Sequence, residues 1–121
     1  MRRVRVTDPA RRDITKILRR SSAEFGDQAR QRYRRLIDQA LQDLSEDPAR
    51  VGVQSIDDIR EGYFLYHLRW SRKASAGLTV RQPRHLIAFY VDDSDAIIVA
   101  RVFHERQMLS HHNDNQIKTM A

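Results

Sequence analysis

Apolar positions along this chain follow two rhythms. As far as residue 46 they recur at helical spacing, and from residue 63 they crowd into short alternating runs. Ile14, Ile17, Leu18 and Phe25 fit one helical stripe, with a gap at Ser21. Asp8 is a good N-cap for that helix, and Pro9 then falls at the first helical position, where its missing N–H costs nothing. Gly26 supplies a left-handed stop. With Asp27 as cap, a second helix carries Ala29, Tyr33, Leu36, Ile37, Ala40, Leu41 and Leu44 on one face and ends before Asp47-Pro48. So short a joint at Gly26 folds the two helices back as an antiparallel hairpin. Ahead of them Arg3–Val6 reads as a short strand, with Val4 and Val6 on one side.

Residues 48–62 are polar and acidic and read as a loop, anchored by Val51, Val53, Ile56 and Ile59. Tyr63–Trp70, His85–Val91 and Ala96–His104 then alternate as strands. Asp92-Asp93-Ser94-Asp95 supplies the turn between the last two. Ser71–Arg84 is long for a hairpin connection and is a candidate functional loop. The order β-α-α-β-β-β predicts an α+β domain, a helical hairpin packed on one antiparallel sheet. The expected domain covers residues 1–110, and residues 111–121 read as a tail.

Composition narrows the class. A chain of 121 residues is the size of one domain, and few glycines and prolines argue against a linker-rich chain. No cysteine is present, which excludes disulfides, thiolate metal sites and a thiol nucleophile. The apolar runs are too short to span a bilayer, and the charged start has no apolar run behind it, so a cytoplasmic protein without membrane contact is expected.

Charge adds a partner class. The net charge is +6, carried by 19 arginines and 3 lysines against 16 acidic side chains. Residues 1–35 hold a surplus of eight positive charges, residues 36–62 a deficit of five, and residues 63–91 five basic side chains with no acidic one. Arginine forks pair well with carboxylate and phosphate, so the partner expected is anionic, either nucleic acid or an acidic polypeptide.

Chemistry-bearing residues are few. His104 ends the last strand beside arginines, where an imidazole can act as general acid or base or simply bond a neighbouring group. Arg69 and Arg101 fall on neighbouring parts of the expected sheet and could clamp a phosphate. His104, His111 and His112 make a poor metal set, with a tail between them and no cysteine, so neither metal nor cofactor is expected. There is no glycine-rich phosphate loop, nucleophile elbow or helical histidine pair. Tyr63, Tyr66, Trp70 and Tyr90 interleave with the cations, in keeping with either packing or nucleic-acid contact.

The order of these strings resembles the RelE/ParE superfamily of bacterial toxins over about residues 3–112. The resemblance rests on Arg60-Glu61-Gly62-Tyr63 leading into Leu65-Tyr66-His67-Leu68, on Pro83-Arg84-His85-Leu86-Ile87, and on Val99-Ala100-Arg101-Val102-Phe103-His104-Glu105-Arg106. His104 and His112 keep the eight-residue spacing of the ParE-like branch, while Gln107-Met108 depart from its Met-Asp pair.

That resemblance implies the toxin of a type II toxin–antitoxin pair that inhibits DNA gyrase, with no catalysis of its own. Arg69, Arg84, Arg101, His104 and Arg106 would contact the target. Arg12, Lys16, Arg19, Arg20, Arg30 and Arg34 would receive a cognate acidic, ParD-like antitoxin in a hetero-oligomer. Two alternatives stand beside it. One is a RelE-like ribosome-dependent mRNA endoribonuclease using Arg69, Arg101 and His104. The other is a plain basic nucleic-acid-binding domain built on the Arg-rich first helix.

Overall fold

A computed structural model of the chain describes residues 1–74 and 80–109. Five strands and two helices follow in the order β1 (Val4–Val6), α1 (Asp8–Phe25), α2 (Asp27–Glu46), β2 (Val53–Ser55), β3 (Tyr63–His67), β4 (His85–Val91) and β5 (Ile97–His104). Short 3-10 turns follow β3, at Leu68–Ala74, and β5, at Glu105–Leu109. The strands form one sheet in the order β1-β5-β4-β3-β2. The α+β class and the helical hairpin are as the sequence predicts.

Three details depart from the prediction. The sheet is mixed, because β1 runs parallel to β5, with Val4 opposite Ile97 and Val6 opposite Val99. A chain that leaves β1 through two helices can return alongside it in parallel. The expected loop contains β2, which lies antiparallel on β3 with Val53 opposite Tyr66. The expected strand Tyr63–Trp70 stops at His67, and its last residues form the 3-10 turn.

Helix boundaries also shift by one residue. Thr7, rather than Asp8, caps α1: its hydroxyl accepts the Ala10 N–H at 3.3 Å, and Asp8 is already helical. The same hydroxyl lies 3.0 Å from the carbonyls of both Val99 and Ala100 on β5. Gly26 serves both helices, at φ +91°, as C-cap of α1 and N-cap of α2, so Asp27 is the first residue of α2.

The main core lies between the helices and one sheet face. Leu18, Leu36, Ile37, Ala40 and Leu44 meet Tyr66, Ile87, Phe89, Ile97, Val99 and Val102 there. Phe25, expected on the α1 stripe, is 73% exposed instead. A smaller cluster of Ile56, Tyr63, Leu65, Ala88, Ala100 and Phe103 covers the opposite face.

One buried polar network ties α2 to the turn after β3. Asp43 accepts from Ser71 Oγ at 2.6 Å, from Gln39 Nε2 at 2.9 Å and from Arg50 Nη1 at 2.9 Å. Since Ser71 donates to the carboxylate, Tyr66 must donate to Ser71 Oγ, at 2.7 Å. Burial pushes the Tyr66 hydroxyl pKa up. Trp70 closes this corner by packing where a Cβ on Gly52 would stand, 2.4 Å away, and Gly52 has φ +101°. Only glycine fits both the space and the backbone.

Candidate functional site

Where β4 begins, β5 ends. His85 pairs with His104 across the ladder, their rings edge-to-face with centroids 5.0 Å apart. This register depends on a bulge. Phe89 pairs with Val99 but Ala88 with Arg101, which leaves Ala100 as the extra residue. Beyond the bulge the helix-facing parity changes from Ile97 and Val99 to Val102. His104, two residues after Val102, therefore stands on the helix side. Were Ala100 paired with Ala88 in a regular ladder, His85 would oppose Phe103.

Tyr33 of α2 reaches this strand end. Its hydroxyl accepts the Arg84 N–H at 3.0 Å and lies 2.6 Å from His85 Nδ1. The oxygen's one proton is available to Nδ1, and in that arrangement the neutral His85 ring carries its proton on Nε2. Burial pushes Tyr33 up to about 12 and His85 down to about 4, the latter helped by the nearby His104 and His67 rings. His104 Nδ1 accepts the Arg106 N–H at 3.0 Å. Its pKa is lowered first by burial and then by the Arg106 charge.

Glu105 fastens the turn after β5. It takes His67 Nε2 at 3.0 Å on one oxygen and Arg84 Nη1 at 2.8 Å on the other. The Glu105 N–H donates to the Arg84 carbonyl at 2.7 Å. His67 Nδ1 accepts the Arg69 N–H at 3.1 Å, which fixes the ring proton on Nε2 for Glu105. Hydrogen bonds from Arg84 and His67 hold the Glu105 carboxyl down at about 2.

The same strand ends form one wall of a groove of about 1220 Å³, whose other walls are α1 and α2. Its lining includes Arg84, Arg101, His104 and Arg106, four of the five residues expected to contact a target. Arg69 is not in that lining. It lies in the turn after β3, with its guanidinium 5.5 Å from the Trp70 ring centroid. The expectation that Arg69 and Arg101 are sheet neighbours is therefore corrected: the strand ends two residues before Arg69.

Arg101 is committed to another role. Its Nε and Nη2 donate to the two oxygens of Asp13 on α1, at 2.7 and 3.0 Å, and Asp13 Oδ2 also takes the Val102 N–H. The Asp13 carboxylate raises the Arg101 pKa. Arg101 thus fastens α1 to β5, with its charge neutralised in place.

Of the six arginines and lysines expected to receive an antitoxin, five divide between two grooves. Lys16 and Arg20 line the groove at the strand ends. Arg19, Arg30 and Arg34 line a second groove, of about 730 Å³, between α1 and α2. Arg12 is exposed and lines neither.

Sequence reasoning left out Tyr33, His67 and His85 as parts of the site. Tyr33 reads as a core position of its helix and is indeed buried. The signal available for His85 was its place at the start of one strand of a hairpin whose partner strand ends in His104. The bulge that sets the two opposite each other has no sequence mark.

Among the described residues no group of three His, Cys, Asp or Glu is placed to hold a metal ion. His111 and His112 lie outside the described residues. No described helix is long and apolar enough to cross a membrane.

Against known proteins, residues 4–109 match the family model described as the ParE toxin of the type II toxin–antitoxin system parDE. No curated protein matches the chain. The match spans nearly the whole chain, strand-end site included, and the chain belongs to the ParE toxin family of type II toxin–antitoxin systems.

Proposed function

We propose that this toxin acts by binding, holding DNA gyrase in a state that blocks replication, and that a cognate acidic antitoxin neutralises it. The observation that carries this reading is the commitment of Arg101 to Asp13, with two hydrogen bonds at 2.7 and 3.0 Å. The ribonuclease alternative needs Arg69 and Arg101 as a free phosphate clamp around His104. Arg101 is neutralised, and Arg69 lies outside the groove. A surface that presents cations without that clamp suits contact better than phosphoryl chemistry.

The second groove supports an acidic antitoxin. Ile14, Leu18, Ile37 and Leu41 give it apolar surface, and Arg11, Arg19, Arg30 and Arg34 flank them. An amphipathic segment with carboxylates beside its apolar face matches that combination.

Induction of the gene alone in bacteria tests the first claim, with DNA content and translation followed in parallel. Replication should halt while protein synthesis continues. Cleaved messenger RNA with rapid loss of translation would overturn it. The complex with the neighbouring gene product should weaken as salt rises, and Arg30→Glu with Arg34→Glu should release the antitoxin.

A further inference from the structure

The groove at the strand ends carries more cationic charge than its own structure uses. Its two acidic lining residues are both engaged: Asp13 with Arg101, and Glu24 with Arg20 at 2.9 Å. Arg84 is held by Glu105. Four further cations line the same groove, Lys16 of α1, Arg32 of α2, Arg81 before β4 and Arg106 after β5. None of their side chains has a hydrogen-bond or ion-pair partner among the described residues. They come from four separate segments, so sequence spacing alone does not gather them. Concentrating like charges in a concave wall costs stability, and an anionic ligand is what offsets it.

Two observations favour phosphate over carboxylate. Three of the four free cations are arginines, whose forks bind phosphate oxygens two at a time. Phe25, 73% exposed, also lines the groove where the hairpin turns, and offers an aromatic face to a base. A peptide of carboxylates alone has no group to set against that ring.

We infer that this groove is a binding site for phosphate groups carried by a nucleotide or by single-stranded nucleic acid, with the phosphates on Arg32, Arg81, Arg106 and Lys16 and a base against Phe25. The site goes beyond the gyrase reading and does not depend on it. The lowered pKa of His104 gives an internal reporter. Arg20 of α1, Arg84 before β4 and Arg106 oppose its protonation, and Glu105 alone among its charged neighbours favours it. A bound phosphate adds negative charge to that surrounding and moves the His104 titration to higher pH.

The test titrates the full chain with inorganic triphosphate, a nucleoside triphosphate, a short single-stranded oligonucleotide without terminal phosphates, and an oligoglutamate of matched charge. Calorimetry gives affinities and histidine ring-proton resonances give the pKa of His104. Arg81→Gln and Arg106→Gln, both exposed, should each weaken phosphate binding by about tenfold, whereas Arg34→Gln in the other groove should leave it unchanged. Phe25→Ala should erase the advantage of the nucleotide over inorganic triphosphate. Preference for the nucleoside triphosphate assigns a free nucleotide, and preference for the oligonucleotide assigns the nucleic-acid backbone. Equal binding of oligoglutamate, equal loss on Arg34→Gln, or an unmoved His104 titration would overturn the inference. Cleavage of the oligonucleotide would leave it standing and overturn the gyrase reading instead.

Discussion

Two polar clusters in this molecule use the same parts and end up with opposite character. At the corner between α2 and the turn after β3, Asp43 gathers Ser71, Gln39 and Arg50, with Tyr66 behind Ser71. At the strand ends, Glu105 gathers Arg84 and His67, while Tyr33 bonds His85. The first cluster consumes its cation: Arg50 is bonded to Asp43, whose side chain is only 9% exposed. The second leaves four cations over and opens onto a groove. A tyrosine, an arginine and a carboxylate in contact therefore do not mark a site by themselves. Surplus charge beside an opening does.

The sharpest way to break this comparison is to remove the hub of the closed cluster. Asp43→Ala leaves Arg50 without its carboxylate and the Ser71 proton without its acceptor, and should cost about 3–5 kcal/mol in denaturant unfolding. The same truncation at the open cluster, Glu105→Ala, should cost much less, because Glu105 and Arg84 are both reached by water. Equal losses would erase the distinction.

Acid should act on the open cluster first. The folded-state pKa of His85 is lowered to about 4, below its ordinary 6.5. Between those values the unfolded chain binds more protons, so stability falls as pH drops from 6.5 towards 4, by at most about 3 kcal/mol. Glu105, held at about 2 against its ordinary 4.5, adds a second loss that begins below pH 4.5. Unfolding curves from pH 7 to 4 measure the slope, and His85→Gln should flatten it. A slope unchanged in that variant would show that the titrating group lies elsewhere.

A small effect is expected of Tyr33→Phe, which deletes one hydroxyl and two hydrogen bonds at no cost in shape. It should lose about 1–2 kcal/mol and raise the His85 pKa, because the neutral ring no longer receives a proton donor at Nδ1. Ring-proton titration of His85 in the two proteins is the check.

How much of this was legible in the sequence follows from which interactions are local. The helices were, because Leu36, Ile37, Ala40 and Leu44 repeat at helical spacing, and Gly26 stands at their joint. The turn at residues 92–95 was as well, since Asp92 accepts the backbone N–H groups of Ser94 and Ala96 through its own side chain. β2 was not, being three residues long with only Val53 half-buried. The end of β3 was hidden because Leu68 continues the apolar run; it leaves the strand so that Ser71 can reach Asp43. Of the site, Arg84, Arg101, His104 and Arg106 were found as a group from the order of strings. Their separate roles were not, because the partner of Arg101 lies 88 positions away on α1.

The extra residue at Ala100 sets what this surface can say. It is a matter of register rather than of chemistry: with Ala100 left out of the ladder, the later residues of β5 keep the faces they show. The same residues paired without a bulge would turn His104 away and bring Phe103 to the place opposite His85, with the composition of the strand untouched. A change of register, which a comparison of residue identities does not score, is thus an economical route by which a relative on this scaffold would lose or gain the site. In such relatives the spacing from the Asp92–Asp95 turn to the final histidine is to be read together with the bulge, since losing residue and bulge together keeps that histidine in register.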